Sequence, residues 1–170
     1  MRYKEIEKNK EINAYLTKGN ANLGQLGFTD HSQAHCVQVA HQAGKILKRF
    51  GYSEHEIELA KIAGYMHDIG NAINRTHHAE YGALLANELL KDTDMSLEDR
   101  ITVVSAIGNH DESTGSPVDV ISAALIIADK TDVRRSRVRQ KERSAFDIHD
   151  RVNYAVTDSK LKIAKDRSVI

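Results

Sequence analysis

At 170 residues the chain fits one domain of ordinary size, with room for a core that needs no covalent staples. Its 24 Lys and Arg balance 24 Asp and Glu, so it lacks the overall basic excess that favours non-specific nucleic-acid binding, and any anionic ligand must be met by local charge or metal. The single cysteine, Cys36, excludes an internal disulfide; no apolar stretch approaches the roughly 20 residues of a membrane span, and "MRYKEIEKNK" lacks the apolar centre of a secretory signal, so a cytoplasmic protein is expected.

Asp30 can cap a helix that runs to Phe50 and stops at Gly51, with Val37, Ala40, Ala43, Ile46 and Leu47 as its buried stripe. "SEHE", Ser53 to Glu56, has capping-box spacing and opens an apolar helix through Ile57, Leu59, Ala60, Ile62, Ala63 and Met66 towards Gly70. "HAEYGALLANELL" predicts a third helix with Ala79, Ala83, Leu84, Ala86, Leu89 and Leu90 as apolar positions. Ser96 in "SLED" opens a fourth through Ile101, Val104 and Ile107. In "SPVD" Ser116 is placed at an N-cap with Pro117 at the first helical position, and "VISAALIIADKTD" forms the last apolar helix, carrying Asp129 at its far end. These five helices predict an all-α bundle. The tail changes period, and "RVNYAV" and "LKIA" around "TDSK" predict a short C-terminal β-hairpin. The helical domain is expected over residues 1–145, with its motif region at 30–135, and residues 146–170 form a C-terminal extension.

The chemistry gathers around "GYMHDIGN". A His beside an Asp at the end of an apolar segment costs desolvation twice, unless a partner as strong as a metal ion compensates it. His35, His67, Asp68, His78, His110 and Asp129 all sit at helix ends or on apolar faces, where side chains from several helices can converge on an ion. Imidazole and carboxylate together suit Fe, Mn, Co, Zn or Mg, and the absence of neighbouring cysteines argues against a structural zinc site. A carboxylate also has a second oxygen with which to bridge another ion.

The order H, HD, H, H, D, carried by "HSQAHCVQV", "HDIG", "HHAEYGA", "GNHDES" and "ALIIADKTD", resembles the HD-domain superfamily of metal-dependent phosphohydrolases over residues 30 to 135. The resemblance implies a helical HD fold. It implies His35, His67, Asp68 and Asp129 as the core metal set, His78 and His110 as the further ligands of two-metal subfamilies, and Asp68 as the bridge. His67 and Asp68 are then the catalytic pair, with two divalent ions per chain and a metal-activated hydroxide attacking phosphorus. His31 and His35 lie one turn apart on one face, so either can be the ligand, and the resemblance favours His35. His77 and His78 are adjacent; the family spacing, a His four before Gly82, falls on His78 and leaves His77 as a cap or a substrate contact. His41, His55 and His149 match no segment and are expected to be solvated.

Two departures narrow the substrate. Asn71 stands where the cyclic-dinucleotide phosphodiesterase branch has a Lys, with "GSP" in place of Gly-Tyr-Pro, and Ile69 and Gly70 stand where the alarmone hydrolases have acidic residues. The expected partner is a small phosphorylated molecule, a nucleotide or a relative of one, with neither nucleic acid nor membrane as a partner, and a homo-oligomer is compatible with the sequence. In the basic run "RRSRVRQKER", Arg134 to Arg143, most side chains are expected on a solvated helix surface, while Lys130 and Arg134, and less directly Arg75, are candidates to meet phosphate. Two other functions are carried by the same scaffold: a mixed-valent di-iron oxygenase, and a nucleotide-sensing module with little turnover.

Overall fold

The computed structural model describes residues 1–139 and 142–164, and within them the chain is α-helical with no β-sheet. Five helices form the expected bundle: α3 (Gln33–Phe50), α4 (Glu54–Met66), α5 (His78–Leu90), α6 (Leu97–Gly108) and α7 (Val120–Thr131). They are preceded by α1 (Tyr3–Glu7) and α2 (Lys10–Gln25) and followed by α8 (Ile148–Ala155). Among the described residues no helix is long and apolar enough to cross a membrane.

The centre of the bundle is α4, which packs on α3, α6 and α7 and is buried along nearly its whole length from Ile57 to Met66. Its start is the capping box read from the sequence: the Ser53 hydroxyl accepts from the Glu56 amide, and the Glu56 carboxylate accepts from Ser53. Gly64 sets how closely α3 can approach, since a Cβ there would stand 2.8 Å from Ala40 Cα. Helix α3 ends at Gly51, whose φ of 84° is the left-handed stop that its position predicts.

Several boundaries differ from expectation. Helix α3 begins after Ser32 rather than Asp30, because the Asp30 carboxylate accepts from the Ser32 hydroxyl and amide and so shapes the turn in front of the helix. Helix α4 stops at Met66, and a short 3₁₀ turn over Ile69–Ala72 follows the HD pair. Ser116 and Pro117 stay outside α7, whose cap is Asp119 in a reciprocal box with Ser122.

The largest correction lies in the tail. "RVNYA" belongs to α8, not to a strand, because Asp147 and Asp150 form a capping box that nucleates a helix, and the Val152–Val156 alternation is outvoted. Leu161 and Ile163 pack against the core, and the last six residues of the expected extension lie outside the described ones. Helix α2, not foreseen, buries Ile12, Leu16, Gly19 and Leu23 and braces the 3₁₀ turn: Asn22 Nδ2 donates to the carbonyls of Asn71 and Ala72, each at 3.2 Å.

Candidate metal centre

Six side chains from five segments converge at one end of the bundle. His35 comes from the first turn of α3, His67 and Asp68 from the end of α4, His78 from the start of α5, His110 from just beyond α6, and Asp129 from the last turn of α7. Gly70 makes the convergence possible: a Cβ there would lie 1.9 Å from the His78 carbonyl oxygen, so only glycine lets α5 begin against the HD pair.

The four imidazoles are oriented alike. Nδ1 of His67 lies 2.8 Å from the Gly64 carbonyl, that of His78 3.1 Å from Arg75 O, and that of His110 2.7 Å from Ile107 O. A carbonyl only accepts, so each of these Nδ1 atoms carries the proton and each Nε2 turns inward. His35 donates from Nδ1 to Asp132 Oδ2 at 2.7 Å. The inward Nε2 atoms then crowd, His35 to His67 at 3.3 Å and His78 to His110 at 3.2 Å. Two nitrogens sharing one ion at about 2.1 Å stand about 3.0–3.4 Å apart.

Asp68 lies between the two imidazole pairs. Its Oδ2 is 3.2 Å from His67 Nε2 and 3.5 Å from His35 Nε2, and its Oδ1 is 3.8 Å from His78 Nε2. Asn71 Nδ2 donates to Oδ1 at 2.8 Å, whereas the buried Oδ2 accepts no well-formed hydrogen bond among the described residues. Asp129 Oδ1 stands 3.3 Å from His35 and 3.6 Å from His67. Carboxylate oxygens facing converging imidazole Nε2 atoms are a donor set that fits a cation. The triads His35–His67–Asp129 and His67–Asp68–His110 each bring their ligand atoms within 4.8 Å of one another.

The protonation pattern agrees. Burial raises the carboxyls of Asp68 and Asp129, but the surrounding histidines overcome it and hold both well below the usual carboxylate range. Burial would lower the His67 imidazole, yet the two carboxylates lift it to about 10, so without metal a proton serves as the counter-charge. Burial pushes His110 down to about 4 and lowers His78 as well, which leaves the second pair as neutral donors.

His31 is not in the cluster. Its ring meets the His35 ring edge to face at 5.4 Å and its Nδ1 bonds to Thr29 O, and burial drives it down to about 3. Of the phosphate candidates, Lys130 and Arg75 line a cleft of about 460 Å³ that opens onto Asp68, His78, His110 and Asp129. Lys130 is ion-paired with Asp129 at 2.9 Å and with Glu112, and Arg75 Nη1 lies 3.3 Å from His78 Nε2. The structure does not bring Arg134 and His77 to the cleft. The Arg134 guanidinium is occupied by the Asp132 carboxylate, with Nε 2.6 Å from Oδ1 and Nη2 2.9 Å from Oδ2. His77 is exposed, adopts φ 60° ahead of α5 and faces Glu80.

The basic run is not a solvated helix. Arg137 is buried, donating from Nε to Asp30 O and from Nη1 to Asp132 O, and Arg139 donates to Phe28 O and to Asn20; Gln140 and Lys141 lie outside the described residues. His149, expected in solvent, is exposed but lines the cleft. Sequence reasoning missed Asp132, which holds His35, and Asn71, which holds Asp68.

The HD domain family model matches residues 33–164. The chain belongs to the HD-domain family. It is 28% identical over 172 residues to the uncharacterized protein MJ1020 of Methanocaldococcus jannaschii, covering 88% of this chain and 66% of that protein. It is 33% identical over 126 residues to ribonuclease Y of Aster yellows witches'-broom phytoplasma, covering 70% of this chain but 22% of that protein. A crystal structure of a predicted HD superfamily hydrolase from an uncultured Thermotogales bacterium superposes with a TM-score of 0.57 at 24% identity, over 79% of this chain and 75% of that one, and shares the fold. HD-domain membership, a helical fold and a His/Asp cluster able to hold a metal are thus consistent with one another.

Proposed function

We propose that the protein is a metal-dependent phosphohydrolase acting on a small phosphorylated molecule such as a nucleotide. The observation that carries this reading is the six-residue His/Asp cluster, of which Asp68, His78, His110 and Asp129 line a cleft that also holds Lys130 and Arg75. His35, His67, Asp68 and Asp129 would hold one divalent ion, and His78 and His110, together with Asp68, a second. Such ions, when bound, acidify water and neutralise phosphoryl charge.

The rest falls to the chain itself. Asn71 and Asp132 fix Asp68 and His35, and Asp129 and Glu112 position the Lys130 ammonium at the cleft, where burial would lower it and both carboxylates raise it. Lys130 is therefore a cation available to a phosphate oxygen, with Arg75 a second. In the reaction, oxygen from water forms a bond to phosphorus, the bond from phosphorus to the leaving oxygen breaks, and that oxygen leaves protonated.

The similarity to ribonuclease Y raises RNA as a substrate, but the charge balance and the inward-turned arginines of the basic run favour a small molecule. The test is anaerobic hydrolysis of mononucleotides, dinucleotides, short RNA and simple phosphoesters with Mn²⁺, Fe²⁺, Co²⁺, Zn²⁺ or Mg²⁺. Activity lost in Asp68→Ala with its metal, and a raised KM in Lys130→Ala, are expected. Product formation that requires dioxygen would replace this reading by the di-iron oxygenase, and tight nucleotide binding without turnover by the sensing module.

A further inference from the structure

Beside its charged residues the cleft has an apolar part of its lining, made of residues the cluster does not need. Phe28 lies under the Arg75 guanidinium, 5.5 Å from its centroid, and Ile126 and Val133 contribute from α7 and just beyond it. Helix α8 adds Ile148 and Val152, one turn apart on one face and therefore neighbours, with 72% and 51% of their surface exposed.

Their exposure follows from how α8 is held. The Arg134 amide donates to Asn153 Oδ1 at 3.0 Å, Arg135 Nε to the Tyr154 carbonyl at 2.7 Å, and Arg143 Nη2 to the Tyr154 hydroxyl at 2.6 Å. The Arg135 and Arg143 guanidinium groups also lie over the Tyr154 ring, at 4.8 and 5.0 Å. With Asn153 and Tyr154 tied to the basic run, Ile148 and Val152 are left at the cleft, open to whatever enters it. A cleft of about 460 Å³ has the volume of a small-molecule site and is more than a phosphate group alone fills.

We propose that α8 builds the leaving-group subsite: Ile148 and Val152, with Phe28, cover the flat apolar body of a phosphomonoester, a nucleobase or an aryl group, while its phosphate meets the cluster and Lys130. The inference rests on the phosphohydrolase reading for the placement of the phosphate. It makes the enzyme selective for nucleoside and aryl phosphates over phosphoesters of small polar alcohols.

The test is calorimetric binding to the full chain loaded with Mn²⁺, using the unhydrolysable phosphonate analogue of adenosine monophosphate and, as a head-group control, methylphosphonate. The wild type should bind the nucleoside phosphonate at least tenfold tighter. Ile148→Ser combined with Val152→Ser should erase about tenfold of that preference, leaving methylphosphonate binding and metal content unchanged. Both side chains are exposed, so folding should be retained, which the thermal midpoint checks; the conservative pair Ile148→Val and Val152→Ile should keep the preference. Equal affinity for the two phosphonates, or a serine pair that binds both like the wild type, overturns the subsite. A wild type that prefers the nucleoside phosphonate, loses the preference in the serine pair, yet hydrolyses no phosphoester keeps the subsite and removes the phosphohydrolase reading. Hydrolysis of adenosine monophosphate and glycerol phosphate with equal kcat/KM in both proteins does the reverse.

Discussion

Replacing Asp132 by Asn should weaken metal binding without unfolding the protein. The carboxylate is almost fully buried and serves three groups: His35 Nδ1 at 2.7 Å, the Arg134 fork at 2.6 and 2.9 Å, and Arg137 at 4.0 Å. Asn can still offer an oxygen to His35, but without the charge that orients the ring and raises its basicity. A hydrogen bond to a charged group contributes about 1.5–3 kcal/mol, against about 0.5–1.5 for a neutral one, so the difference is about 1–2 kcal/mol. Arg134 is 40% exposed and can turn to water, and Arg137 keeps the Asp30 and Asp132 carbonyls. The loss therefore falls chiefly on His35.

At about 1.4 kcal/mol per decade, metal affinity should fall about 5- to 30-fold, which overlaps the range of about 10- to 100-fold for outer-shell partners of metal-binding side chains. Competition against a chelator of known affinity measures this directly, and thermal unfolding of the metal-free protein should show a drop of only a few degrees. Activity should return at high metal concentration, since Asn keeps the shape of a side chain that lines the cleft and the Lys130 and Arg75 cations stay in place. Wild-type affinity in Asp132→Asn, or a loss of turnover that saturating metal does not restore, would refute the reasoning.

His110→Ala or His78→Ala should bind about one ion where the wild type binds about two, read by metal analysis after gel filtration, because the set His35, His67, Asp68 and Asp129 stays whole. Gly70→Ala should cost more than about 3 kcal/mol in denaturant unfolding, since its Cβ would overlap the His78 carbonyl and backbone must move. Asp30 is raised by burial but lowered further by Ser32 and Asn20, so its folded-state value lies below its unfolded one. It adds stability above about pH 4 that fades as pH falls further, and the gap between wild type and Asp30→Asn should close over that acid range.

The candidate ligands were legible because they sit in short segments with recognisable neighbours: Gly70 after the HD pair, Gly82 four beyond His78, Lys130 after Asp129. The residues that orient those ligands were not. Asp132 and His35 are 97 positions apart, and nothing local distinguishes Asp132 from a surface carboxylate at a helix end. Asn71 read only as a departure from one branch of the family, although it holds Asp68. The five central helices announced themselves by caps and apolar period, whereas α2 has Asn and Gly between its apolar positions and buries just one face. In the tail, "RVNYAV" satisfies a two-residue period and, with Ile148, a four-residue one; the Asp147–Asp150 box was the signal that separates them.

The basic run shows how charge in a sequence misleads when its partners are backbone. Segment Phe28–Asp30 is irregular chain whose Phe28 and Thr29 line the cleft, and its carbonyls need donors that a helix or sheet would otherwise supply. Arg139 supplies them to Phe28 O at 2.8 Å and to Asn20 O and Oδ1 at 2.9 and 2.6 Å, and Arg137 to Asp30 O at 3.0 Å. Arg139 thus fixes the wall that carries Phe28, at a distance from every cluster ligand. Arg139→Ala removes three hydrogen bonds of a charged donor and should loosen Phe28 while leaving metal affinity within about twofold. If Phe28 covers the body of the substrate, KM for an aryl or nucleoside phosphate should rise about fivefold to thirtyfold, the equivalent of about 1–2 kcal/mol, with KM for a small phosphoester unchanged. A solvated arginine would give no change in either. A phosphate-binding arginine would raise both together, so the ratio of the two KM values decides whether this residue holds the wall or the phosphate.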